Sequence, residues 1–331
     1  MKRVKNGVVF DKLVNLGAFL NDIRRSPPGV EGKIYRSQLS GRRPLPCRRR
    51  QGVLPTGQAG YGDAVMRIRY VVSTMVFWGR EHQLSFEQEC QFLQSLGFGI
   101  ELWPHLKGQR ECRYQRRNWP RLAAATQDML VAMRSRYDNP TLEQWAEQIE
   151  CAKLLNANIV TDLQSIGVPD EPELNGCGFA GDVVEMAEHY GVKLCLETGP
   201  LKRLKQVSDR FESVGYCLDT GYAHLDPEHS FKRYVDDLAA RVIHLHLTDN
   251  YGQMDDHEPP GVRGGTPRED WDYLLNVLSK YDNDVIGSLE MCPCMPAVMI
   301  RQASEFMFDA LQWPNRPEKQ PDYEEPGYNP A

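Results

Sequence analysis

Short apolar runs alternate with amphipathic stretches through most of the chain, and the two patterns have different periods. Runs rich in Val, Ile and Leu predict buried strands at 69–75, 99–103, 129–133, 158–161, 192–197, 215–218, 242–247 and 285–290. Helix-period segments lie between them. Two open on a capping-box pattern, Ser85 with Gln88 and Thr141 with Gln144, where a hydroxyl and an amide three residues on can satisfy the free N–H groups of the first turn. Eight strand–helix units over about 250 residues predict an α/β protein of the (β/α)8 TIM-barrel class. A doubly wound sheet would show fewer units and a Gly-rich phosphate loop after its first strand, and none follows Met75.

The two ends of the chain break this pattern. Residues 1–65 hold 13 Lys and Arg against 4 Asp and Glu, whereas 66–331 hold 26 basic and 41 acidic residues. Leu13, Leu16, Leu20 and Ile23, with Phe19 beside them, have the spacing of one amphipathic helix. The stretch RSQLSGRRPLPCRRRQGVLPTGQAGYGD that follows has no hydrophobic period and reads as a basic linker. Such an arm can bind nucleic acid, but no aromatic residue alternates with its arginines to stack on bases, so an appendage ahead of a start at Met66 is the simpler reading. The expected organisation is a basic, partly flexible N-terminal extension (1–65), a barrel (66–313) and an extended Pro-rich, acidic C-terminal tail (314–331).

Composition narrows the setting. With 41% hydrophobic and 25% charged residues, the 331-residue chain can bury a sizeable core. No run approaches 18 apolar residues, and Asp11, Lys12 and Asn15 interrupt the N-terminus where a signal peptide needs an apolar stretch, so a cytoplasmic protein is expected. Nine cysteines, with Cys195 and Cys217 inside apolar runs, fit buried reduced thiols better than a disulfide framework.

In a barrel of this kind the catalytic groups sit at the C-terminal ends of strands. Four late apolar runs end in ionisable residues there: VKLCLETG in Glu197, YCLDTGYAH in Asp219, VIHLHLTDN in His246 and Asp249, and VIGSLEMCP in Glu290. Any one of them alone would read as a salt bridge or a cap. Glu197, Asp219, His246 and Glu290 together supply three carboxylates and an imidazole, a hard mixed O/N set suited to one divalent ion, Mn²⁺, Mg²⁺, Co²⁺ or Zn²⁺.

These segments resemble the xylose isomerase-like TIM-barrel superfamily, which includes sugar and sugar-phosphate isomerases and epimerases, inosose-processing enzymes and endonuclease IV. The resemblance spans roughly Met66 to Trp313 and is clearest in LETG (Leu196 to Gly199), CLDTGYAHL (Cys217 to Leu225), HLHLTDNYGQMDDHEPPG (His244 to Gly261) and SLEM (Ser288 to Met291). It implies a metal held by Glu197, Asp219, His246 and Glu290, with Glu197 and Glu290 also acting as the acid/base pair. It implies substrate contacts for His257 and for a histidine three residues after the strand-six aspartate. Tyr222 stands at that last position, and His224, two residues further on, takes the role instead. His244, two residues before His246 and on the same face of the strand, reads as a deeper histidine bonded within the core. Glu101, in a cluster with Trp103 and His105 after strand two, could hold a substrate hydroxyl, and Trp78 and Trp103 could pack on a sugar face.

The activity these readings imply is a metal-dependent isomerase or epimerase of a sugar, sugar phosphate or related polyol ketone, working through an enediolate. A lyase or dehydratase would use the same site. An endonuclease IV-like nuclease would need further histidines after strands three and four, where MRSR and TDLQS supply none, and a non-enzymatic ligand-binding barrel would not need the quartet. The expected partner is a small polyhydroxylated substrate, with no membrane or nucleic acid, and assembly into a homo-oligomer is compatible with the sequence.

Overall fold

The computed structural model describes residues 67–78, 83–105, 112–137, 139–168, 180–197, 199–262, 264–293 and 295–310. The helix expected near Leu13 to Ile23, the basic extension and the C-terminal tail lie outside these residues.

The chain runs β1 (Arg67–Ser73), α1 (Phe86–Ser95), β2 (Gly99–Leu102), α2 (Trp119–Ala125), β3 (Val131–Arg134), α3 (Leu142–Leu155), β4 (Asn158–Thr161) and α4 (Ala180–Tyr190). It continues through β5 (Leu194–Glu197), α5 (Leu201–Arg210), β6 (Gly215–Asp219), α6 (Thr220–Leu225), α7 (Phe231–Leu238), β7 (Val242–Leu247), α8 (Arg268–Leu278), β8 (Asp284–Leu289) and α9 (Ala297–Ala310). Each strand pairs in parallel with its predecessor, and β8 returns to β1, so the sheet is a closed eight-stranded barrel. Closure leaves no strand edge unpaired. Both expected capping boxes form, at Ser85 and Thr141.

Strand pleating sorts the side chains into two sets. Tyr70, Val72, Ile100, Leu102, Val131, Met133, Leu194, Leu196, Leu245, Leu247 and Leu289 point outward into the large core beneath the helices, with Trp145 and Trp271 among its fully buried members. The alternate positions fill the lumen, where Val71, Ala132 and Ile286 form one cluster and Val160, Cys195 and Cys217 another. Gly99 alternates with the outward Ile100 and so joins this inner set, where a Cβ would stand 2.4 Å from the Leu130 carbonyl oxygen. Two residues beyond Ala132, Cys195, Cys217 and His244 on the inward face of β3, β5, β6 and β7 come Arg134, Glu197, Asp219 and His246.

Several strand ends differ from the sequence pattern. The first strand stops at Ser73, because Thr74–Phe77 winds into a 3-10 turn. The fifth starts at Leu194 because the Val192 N–H donates to Ala187 O (2.9 Å), closing α4 around Gly191 at φ 67°. The eighth begins at Asp284, whose carboxylate takes a two-pronged bond from Arg69 on β1 at 2.7 and 3.1 Å. Cys90, Cys112, Cys151, Cys195 and Cys217 are buried thiols, as expected of reduced cysteines. Among the described residues no helix is long and apolar enough to cross a membrane.

Candidate metal centre

Strand register places the key side chains. Asp219, the last residue of β6, pairs with His246 on β7, and His246 pairs with Ser288 on β8, two residues before Glu290. Asp219 is pinned by its own helix: its Oδ1 accepts the Tyr222 N–H at 2.8 Å, capping α6. Its other oxygen stands 3.8 Å from His246 Nδ1. Glu197, at the end of β5, brings Oε1 to 2.9 Å from the same nitrogen, and Glu290 brings Oε2 to 2.8 Å.

One ligand atom from each of Glu197, Asp219, His246 and Glu290 lies within 4.8 Å of the other three. Around an ion bound at about 2.0–2.3 Å, ligand atoms stand roughly 2.8–4.6 Å apart, so this spread fits one divalent ion. His246 is fully buried, and Asp219 and Glu290 nearly so. Burial opposes a charged ring at His246, yet the surrounding Cys217, Glu290, Glu101 and Asp219 hold its proton to well above the ordinary range. Burial raises the Asp219 carboxyl. A divalent cation would supply the positive charge that these converging carboxylates otherwise draw from a proton.

Sequence reasoning missed Arg134, although the strand-end rule that singled out Glu197 applies equally to VAMR. Partly buried at the end of β3, it donates through Nη2 to Glu197 Oε2. Burial works against ionisation of Glu197, but the Arg134 charge and the His246 bond outweigh it and hold the carboxyl well below the usual range. The guanidinium sits 5.5 Å from the Trp103 ring, a cation–π distance. Trp103 is fixed in turn by its indole N–H to Ser73 Oγ (2.7 Å) and by an edge-on contact with Trp78 at 5.0 Å. Arg134 Nη1 is buried and makes no hydrogen bond.

The expected substrate contacts fall in three places. Glu101, expected to face substrate, is instead fully buried, with Oε2 2.8 Å from His244 Nε2. His244 is the buried, hydrogen-bonded core histidine that its spacing suggested. His224, half-buried on α6, links through Nδ1 to Asn250 Oδ1 at 3.0 Å and is not part of the quartet. His257 arches back to the end of β8 in a left-handed conformation (φ 50°), its Nδ1 donating to the Glu290 carbonyl oxygen at 3.1 Å and its Nε2 3.2 Å from Asp255. Burial opposes its charge, but the Asp255 bond and the Glu290 charge push its pKa up to about 10. Asp249, the other acid after β7, is structural: its Oδ1 accepts the Thr266 N–H and hydroxyl at 3.1 and 2.7 Å.

The family model for xylose isomerase-like TIM barrels matches residues 130–310. Among solved structures the chain is similar to a D-psicose 3-epimerase with D-tagatose from Clostridium cellulolyticum H10, at 14% identity and a TM-score of 0.51, covering 74% of this chain and 99% of that one. It is also similar to a xylose isomerase domain protein from Planctomyces limnophilus, at 13% identity and TM-score 0.48 over 74% of this chain and 96% of that one. A third is AsfvAP:AG, at 12% identity and TM-score 0.49 over 74% and 99%. A comparison with curated proteins gave no match. At these identities the structural likeness concerns the fold.

Proposed function

The chain belongs to the xylose isomerase-like TIM-barrel family, and on that premise we propose that it is a divalent-metal-dependent isomerase or epimerase of a small polyhydroxylated carbonyl compound: a sugar, sugar phosphate or related polyol ketone. The observation that carries this reading is the convergence of Glu197, Asp219, His246 and Glu290 at the C-terminal mouth of the barrel. When bound there, a divalent ion polarises a carbonyl and its neighbouring hydroxyl and offsets the charge of an enediolate.

The chain's own residues supply the rest. Glu197, kept ionised by Arg134, is the base that takes the proton from the carbon beside the carbonyl; the C–H electron pair moves into the new C=C bond and the carbonyl pair onto oxygen. Glu290, as the acid, returns a proton either to the opposite face of the same carbon, giving an epimer, or to the former carbonyl carbon, giving aldose–ketose exchange as the hydroxyl proton of the enediolate passes to the former carbonyl oxygen. Asp219 divides its two oxygens between the α6 cap and the quartet, so the oxygen facing the quartet is held without a rotamer search. Trp103 and Trp78 form an aromatic wall beside Arg134 against which the C–H face of a sugar can pack.

The test combines elemental analysis of the full chain with a screen of ketoses, inososes and their phosphates for deuterium uptake from solvent. About one divalent ion per chain is expected, with metal-dependent exchange at the carbon next to the carbonyl of at least one compound. Full exchange without metal overturns the reading. Loss of a leaving group together with exchange would reassign the same site to a lyase or dehydratase.

A further inference from the structure

Glu101 is a carboxylate with no exposed surface, on the inward face of β2, and it meets two imidazoles from β7. Its Oε2 lies 2.8 Å from His244 Nε2 and 3.4 Å from His246 Nε2. Glu101 Oε1 and His246 Nε2 are both buried and make no hydrogen bond. A buried ionised carboxylate and a buried ring nitrogen left in this state are each costly, so the arrangement calls for a state in which they satisfy one another.

That state follows from what the quartet asks of His246. Its Nδ1 faces Glu197, Asp219 and Glu290, while its Nε2 faces Glu101. An imidazole that gives Nδ1 to a metal is neutral and must carry its proton on Nε2. In the metal-bound state two N–H donors, His244 Nε2 and His246 Nε2, then confront the two oxygens of one carboxylate. A small rotation of Glu101 lets each oxygen accept one N–H hydrogen bond. We propose that Glu101 is a positioning residue for the metal ligand His246, holding it in the Nε2–H tautomer with Nδ1 aimed at the ion, while His244 anchors the carboxylate from the other side; this rests on the metal reading above. A carboxylate behind a ligating histidine fixes the ring and raises its basicity, and its loss typically weakens metal binding by about 10–100-fold. Glu101 acts through His246 and does not touch substrate.

The test uses Mn²⁺ and Zn²⁺ alone as probes, on the full chain and on Glu101→Gln, which keeps the size and one acceptor but removes the charge. Competition against a chromophoric chelator should show Mn²⁺ binding about 10–100-fold weaker in the variant, with unchanged stoichiometry. In the Zn²⁺-loaded wild type, ¹H–¹⁵N correlation of the histidine rings should show His246 protonated at Nε2, with a slowly exchanging proton that exchanges faster in the variant. Variant affinity within threefold of wild type overturns the inference and leaves the metal reading standing. A wild type that binds neither ion removes both. If Glu101→Gln does not fold, the wild-type spectrum decides by itself, because a His246 protonated at Nδ1 and ligating through Nε2 excludes the role.

Discussion

Arg134 and Glu197 lie 63 residues apart and meet at the barrel mouth, where the guanidinium donates through Nη2 to the carboxylate Oε2. The nearby cation favours the ionised form of Glu197, which is the form a base requires. Removing it in Arg134→Met should raise the Glu197 pKa. The acidic limb of the pH–rate profile for solvent proton exchange should then move to higher pH by at least about one unit, the low end of what a close opposite charge contributes. Arg134→Lys should retain part of the effect. A limb that stays in place in the metal-loaded methionine variant assigns control of Glu197 to the other groups.

Glu197→Gln and Glu290→Gln should each lower solvent proton exchange into the substrate by at least about 10²-fold, the lower range for a positioned acid or base. The amide keeps the shape and one oxygen ligand, so metal content measured on the same samples separates lost chemistry from a lost ion. Wild-type exchange in either metal-loaded variant removes that glutamate from the acid/base pair.

Asp219 has two tasks that substitutions can separate. Asp219→Asn keeps an oxygen that can accept the Tyr222 N–H but loses the charge, so metal affinity should fall with little change in apo stability. Asp219→Ala loses both, and urea unfolding of the apo protein should show a further loss of about 1 kcal/mol, the usual worth of an N-cap. Equal apo stability of the alanine and asparagine variants would show that the cap contributes nothing.

On the outer surface, the side-chain bond from Arg121, more than the small opposing effect of burial, lowers the Glu87 pKa to about 2. A carboxyl depressed in the folded state stabilises it above the unfolded pKa of about 4.3, and that stabilisation is lost as pH falls from there towards 2. Glu87→Gln should therefore flatten the dependence of the urea midpoint on pH between about 5 and 3, more visibly at low salt because both partners are largely solvent-exposed. Identical slopes in the two proteins would show that the pair is fully screened.

A chain beginning at Met66 should fold by itself, because the barrel's closing pair, β1 with β8, starts at Arg67 paired with Asp284. Circular dichroism and thermal melting of that chain beside the full one check this. A shortened chain that is insoluble while the full chain folds would make residues 1–65 an integral part of the structure.

The periodicities alone determined the eight strands, the alternation that makes the sheet parallel and the capping boxes at Ser85 and Thr141, because pleat, helical repeat and caps are local properties of the backbone. The four residues of the candidate centre were legible for the same reason: an ionisable group at the end of an apolar strand is visible in one dimension, and parallel barrels gather such ends at one mouth. Which inward groups face each other across the lumen was not legible. Glu101 meets His244 over 143 residues and Arg134 meets Glu197 over 63, and both encounters depend on how the sheet closes and in what register. The sequence therefore suggested that Glu101 could reach substrate and passed over Arg134. Only closure of the barrel turned the glutamate towards the histidines and the arginine towards the base, because a side chain's chemical role is decided by neighbours that pleating alone does not bring together.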